Sequence, residues 1–193
     1  MHLRDRGAAS IVLALLLMSS STEARQASAN QIVRVGIGGG IRVPSDSPVR
    51  YVRTGKEEGD SHFFGQFVIT GTYRYGCFVG CDGPLQPDDL VLKFYPDRSL
   101  VKRLPSWVVY KEPADEIIIE KAAPFVQSVV SSKIRGQLLS NKRQYVSGRA
   151  SILVDDFTMD IECDSPSYFA RFVRIVQSLD APKPTPVRQV GCG

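Results

Sequence analysis

Between Phe67 and Cys77 the side chains of Phe67, Ile69, Tyr73, Tyr75 and Cys77 fall on one face of an extended chain, with Thr70, Thr72 and Arg74 on the other. A period of two marks a half-buried strand, and the chain repeats it. Leu90, Leu92 and Phe94 alternate with Val91 and Lys93 until Pro96-Asp97 stops the run. Val146, Gly148, Ala150, Ile152 and Val154 share one further face, and Phe157, Met159, Ile161 and Cys163 another. Such a pattern limits the fold to one built mainly from strands. Gly71 interrupts the first apolar face, which predicts a bulge or the bend of a barrel there.

One stretch keeps a different period. After Pro124, the apolar residues Val126, Val129, Val130, Ile134 and Leu138 recur every few positions, which predicts a single helix over 124–139. Before it, Trp107 to Tyr110 and Glu116 to Glu120 are short β-branched runs separated by Glu112-Pro113-Ala114-Asp115, a hairpin pattern. After it, Asp155-Asp156 reads as a turn, and Asp164 to Ser167 as the next, leading into Tyr168 to Val176. The chain is therefore expected to end in a three-stranded antiparallel meander. If the last turn pairs Cys163 with Tyr168, then Met159 stands opposite Phe172 and Asp160 opposite Arg171. The expected fold is mainly β (α+β): a small antiparallel OB-like barrel, or an open sheet, with one helix.

The N-terminus points to export. Arg4 and Arg6 precede an uninterrupted apolar run, Ile11 to Met18, which ends in Ser19-Ser20-Ser21. That is the layout of a secretory signal, and cleavage after Ala24 or after Ala29 both satisfy the small-residue rule. A spanning helix needs about 20 apolar residues, so the run is too short to anchor the mature chain, and no later segment qualifies. Residues 1–29 are read as the signal, 30–60 as a mobile arm, 61–178 as one globular domain and 179–193 as an extended tail. The arm is expected because Gly36 to Gly40 and Pro44 to Pro48 interrupt regular structure, and the tail because of its prolines. The destination is the bacterial periplasm or the extracellular space.

Charge and cysteine usage narrow the chemistry. The precursor carries +4, and the signal removes Arg4, Arg6 and Arg25 against Asp5 and Glu23, leaving +3. This is too mild to indicate a nucleic-acid partner, which calls for a concentrated basic face. All four cysteines, Cys77, Cys81, Cys163 and Cys192, remain after cleavage, and in an oxidising compartment they read as two disulfides. Cys77 and Cys81 are the expected local pair, leaving Cys163 to hold the tail through Cys192. The C-x3-C also resembles that of the copper-chaperone thioredoxin-like proteins, which implies a soft-metal or redox dithiol. Those proteins add a distant downstream histidine, and here none follows His62.

Because His2 leaves with the signal, every mechanism needing an imidazole must use His62, which disfavours a multi-histidine metal site. No metal or organic cofactor is indicated. The remaining candidate is a basic cluster, Lys133, Arg135, Lys142 and Arg143, around the end of the expected helix. Facing Tyr73 and Arg74 across a groove, it would suit an anionic glycan, a lipid head group or an acidic envelope protein. The expected function is accordingly a non-enzymatic binding or interaction module of the cell envelope. The alternatives are a secreted hydrolase or thiol oxidoreductase using His62 or the Cys77/Cys81 pair, and a structural component of an envelope assembly.

Overall fold

The computed structural model describes residues 30–34, 40–55, 60–78, 81, 83, 85–110, 113–162 and 165–186. The export signal with both cleavage positions, and the proposed Cys163–Cys192 pair, lie outside these residues. The chain passes through β1 (Gln31–Val33), β2 (Ile41–Val43), β3 (Arg50–Thr54), β4 (Ser61–Phe64), β5 (Phe67–Gly76) and β6 (Val91–Pro96). Helix α1 (Arg98–Val101), β7 (Ser106–Trp107), β8 (Ile117–Glu120), α2 (Ala123–Val129) and α3 (Ser132–Leu139) follow. The long strands β9 (Arg143–Glu162) and β10 (Ser165–Ser178) and the short β11 (Lys183–Pro186) complete the described fold.

The protein is mainly β, and β9 is its spine. Along one edge β9 pairs with β5 over Tyr145–Val154 and then with β4 over Phe157–Met159. Along the other edge it pairs with β11 and then with β10. β5 also pairs with β6, β6 with β8, and β8 with β10, so five pairings lead from β5 around to β9 and back. β3 lies outermost on β4, while β1, β2 and β7 form a separate small sheet.

The large sheet is mixed, correcting the expectation of an antiparallel one. β8 and β10 are parallel while the other four contacts of the ring are antiparallel. Direction alternates at each antiparallel step, so a ring with an odd number of strands must contain a parallel pair. No alternation pattern within a strand reports this.

Three further expectations change, each for a local reason. Asp155-Asp156 is not a turn between strands; β9 continues through it, with Asp156 at φ 46°. Val154 and Phe157 are both fully buried although three positions apart, and a β-bulge absorbs the extra residue while keeping both on the core face. The expected meander is thus one long bent hairpin. Its ladder reaches Glu162 opposite Ser165, which puts Ser167 opposite Asp160 and Arg171 opposite Asp155, not the Asp160–Arg171 pairing expected from a longer turn. The helix expected over 124–139 is two: Val130 adopts an extended conformation, and Ser131 opens α3 by accepting from the Ile134 amide at 3.4 Å.

The hairpin expected between residues 107 and 120 does not form, since β7 pairs with β2 and β8 with β6 and β10. The segment read as an arm contributes β1, β2 and β3, with Ile41, Val43 and Val49 in the core. The segment read as a tail adds β11, with Lys183 opposite Ser147. Gly71 sits in an unbroken ladder, not a bulge; a Cβ there would lie 2.2 Å from the Tyr95 carbonyl oxygen, so the glycine serves close approach of β6.

Inside the ring lie Ile69 and Tyr73 of β5, Leu92 and Phe94 of β6, and Ala150 and Ile152 of β9. Helix α2 closes one end through Phe125, whose ring meets Tyr73 at 5.1 Å, Phe94 at 5.9 Å and Phe172 at 6.0 Å. Burying each large apolar side chain stabilises the fold by about 1.5–3 kcal/mol, so this aromatic plug fixes α2 across the ring.

Candidate functional site

The ring is thinnest between β6 and β8. These strands share two register positions, Lys93 with Ile118 and Phe94 with Ile117, and then diverge. The gap opens a cleft of about 540 Å³. Leu90, Val91 and Leu92 form one apolar wall, Ile118 and Ile119 the other, and Val126 of α2 contributes below them. The loop before β6 borders the cleft at Pro87 and Asp88. That loop is tied at its root by the Cys77–Cys81 disulfide, with Cα atoms 5.9 Å apart, and by Asn141, whose amide donates to the Cys81 carbonyl at 2.7 Å.

Few polar groups reach the cleft: Tyr75, Asp88, Lys121, Gln127 and Arg135. Arg135 rises from α3, and its Nη1 donates to the carbonyls of Val130 (2.8 Å) and Val126 (3.5 Å) at the end of α2. A guanidinium carries five donors in a planar fork, so these contacts anchor the group without using it up. Tyr75 is buried, and its hydroxyl has no hydrogen-bond partner among the described residues. Burial raises its pKa, and the nearby Arg135 charge offsets part of that rise. A largely apolar cavity with a cation and a phenol held close together suits an amphiphilic small molecule.

Of the residues expected at a binding surface, the structure brings only Arg135 to this cleft. Tyr73 belongs to the core instead: it is fully buried, packs on Phe94 and Phe125, and has its pKa pushed up to about 12 by burial and then by Asp180. The face it shares with Ile69 and Tyr75 points inward, so it cannot meet a ligand beside Arg74. Lys133 and Lys142 stand exposed on α3 and the turn after it, and Arg143 is half-buried at the start of β9.

Arg74 is on the outer face, over the rings of Tyr95 (4.8 Å) and Tyr145 (5.2 Å). Tyr145 stacks on Phe78, Phe78 carries Lys93 over its ring, and Lys93 and Tyr95 both donate to the Glu116 carboxylate. Burial, followed by the bond to Glu116, pushes the Tyr95 pKa up to about 12. The six side chains close a circuit of contacts with one another. They stiffen the outer sheet face and leave less for a ligand than the cleft groups do.

His62 sits on β4 with Nε2 3.1 Å from Asp60 Oδ2, and no serine, threonine or cysteine is hydrogen-bonded to it among the described residues. The other enzymatic candidates, Cys77 and Cys81, are joined to each other.

The cleft residues carry a signal of their own in the sequence. Leu90-Val91-Leu92 and Ile117-Ile118-Ile119 are runs in which the outward position is also apolar. Val91 and Ile118 are those outward residues, and both line the cleft. Compared with known proteins, the chain matches no family model, no curated protein and no solved structure.

Proposed function

We propose that this is an exported, non-enzymatic binding module of the cell envelope, holding a small, largely apolar ligand in the cleft between β6 and β8. The observation that carries the reading is the cleft itself: about 540 Å³, within the usual range for small-molecule sites, with apolar walls and few polar groups. Export rests on the charged start, short apolar run and small residues of the leader, with the Cys77–Cys81 disulfide in keeping with an oxidising compartment. The ring is read as a small OB-like barrel. Its five strands in the order of their pairing, and the helices between the third and fourth of them in sequence, support that assignment. In that architecture ligands commonly meet the second and third strands, here β6 and β8. Among the ligands considered from sequence, the apolar walls favour a lipid-like molecule over a glycan.

The test is binding of N-phenyl-1-naphthylamine, an uncharged apolar fluorophore, to the folded protein. Saturable fluorescence enhancement is expected, lost in Ala122→Trp, which places an indole in the cleft at a half-buried position before α2. Absence of binding, or binding indifferent to the tryptophan in a variant that folds normally, overturns the proposal.

A further inference from the structure

We infer that the ligand is a single-chain amphiphile with an anionic head, a carboxylate or a phosphate, held by Arg135 and the Tyr75 hydroxyl while its chain lies along the apolar walls. The inference rests on the binding reading above and names the class of molecule that the site would take.

The cleft has two chemically distinct parts. Tyr75, Leu92 and Ile119 come from inward faces of their strands and Val126 from the helix beneath, so they form the deep part. Val91 and Ile118 come from outward faces and form the mouth, with Lys121 and Asp88 also bordering the cleft. A chain of methylenes matches the apolar walls, and a bulky or two-chain lipid exceeds the space.

The head group follows from what the polar groups offer. Arg135 is fixed by two carbonyls through Nη1, which orients the fork without neutralising it, because carbonyls carry no net charge. The described ion pairs leave Arg135 without a carboxylate. Tyr75 adds a hydroxyl with no hydrogen-bond partner among the described residues, on a side chain that lines the cleft, and so offers a donor to an anion. Lys121 adds a second cation, against a single acid, Asp88. Two cations and a phenolic donor against one carboxylate select an anionic head over a cationic one, and an anion over a neutral alcohol.

The experiment displaces bound N-phenyl-1-naphthylamine with molecules that share a ten-carbon chain: decanoate, decyl phosphate, decanol and decyltrimethylammonium. Decanoate and decyl phosphate are expected to compete at concentrations lower than decanol by about tenfold or more, the usual effect of one charge-assisted hydrogen bond. The cation is expected to compete least. Which anion binds better separates a fatty acid from a phosphate-bearing lipid. In Arg135→Gln the anionic preference should collapse while the fluorophore still binds. Since Arg135 also holds the end of α2, Tyr75→Phe supplies the second variant, removing one hydroxyl without disturbing a helix, and should weaken decanoate selectively against decanol.

If the fluorophore binds and all four head groups compete equally, or the cation competes best, this inference falls and the binding module stands. If the fluorophore does not bind, both fall.

Discussion

Tyr73 lies across Gly148 in the β5–β9 ladder, so close that a Cβ on Gly148 would stand 2.7 Å from the tyrosine hydroxyl and 2.8 Å from the ring carbon bearing it. The glycine makes room for a buried ring that also packs on Phe94 and Phe125, joining the spine of the sheet to the helix that closes it. Gly148→Ala should therefore destabilise the protein by about 1–3 kcal/mol, the usual cost of overpacking a core. Tyr73→Phe should do the opposite or nothing, because the hydroxyl it removes is buried without a hydrogen-bond partner. Urea denaturation of both variants decides the point. A neutral Gly148→Ala would mean that the ring can shift.

Acid should act through Arg171 and Asp155. Arg171 donates to both Asp155 oxygens, at 2.8 and 3.0 Å, and to Asp156 at 2.9 Å, across the bulge where β9 bends. The guanidinium holds the Asp155 carboxyl below its ordinary value of 3.8. A carboxyl with a lowered folded-state pKa contributes stability above its unfolded pKa and loses it as pH falls through the folded one. Thermal melts from neutral pH down to pH ~2 should show Asp155→Asn less stable than the parent near neutrality, with the gap closing in acid. A gap that does not change with pH would show that the pair carries no linkage to protons.

The strands β5 and β6 and the core face of β9 were legible because alternation reports which side of a strand is buried. It does not report which strand lies alongside. Parallel pairing of β8 with β10, the pairing of β11 with β9, and the use of Ile41, Val43 and Val49 in the core all depend on partners distant in sequence. The register of the last hairpin differs because Asp164-Ser165-Pro166-Ser167 looks like a turn, whereas the ladder takes up Ser165 to Ser167, with Ser165 opposite Glu162. At the candidate site only Arg135 was visible, through its charge. The apolar walls show in the sequence as runs whose outward position, Val91 or Ile118, is also apolar, and such a run reads the same whether it faces packed neighbours or a gap.

Alkali should act through Tyr95. Burial and the hydrogen bond that its hydroxyl donates to Glu116 at 2.8 Å push its pKa up to about 12 from 10.0. The folded state therefore favours the neutral phenol, a contribution complete below pH 10 and lost as pH rises through about 12. Spectrophotometric titration at the phenolate absorbance should show tyrosine ionising near pH 12, with smaller amplitude there in Tyr95→Phe. Amplitude lost near pH ~10 instead would show that Tyr95 ionises with ordinary surface tyrosines.

The Cys77–Cys81 disulfide should matter to the cleft more than to the fold. It closes a loop of only a few residues, and the chain-entropy account gives such a short loop about 2 kcal/mol, less than a long-range bridge provides. The sheet and core do not depend on it, since the β5–β6 ladder already fixes both ends of the connection, from Gly76 opposite Val91 onward. What the bridge does constrain is the root of the connection from β5 to β6, whose far end supplies Pro87, Asp88 and Leu90 to the cleft. Replacing both cysteines by alanine, which leaves no buried polar atom at the position of Cys77, should lower the melting temperature by roughly 4–8 °C. The same variant should bind N-phenyl-1-naphthylamine more weakly, because the root of the loop that leads to Leu90 then loses its covalent tie and keeps the bond from the Asn141 amide to the carbonyl of residue 81. A variant that melts lower yet binds the fluorophore as the parent does would show that the wall is set by β6 itself and that the disulfide only stabilises the chain.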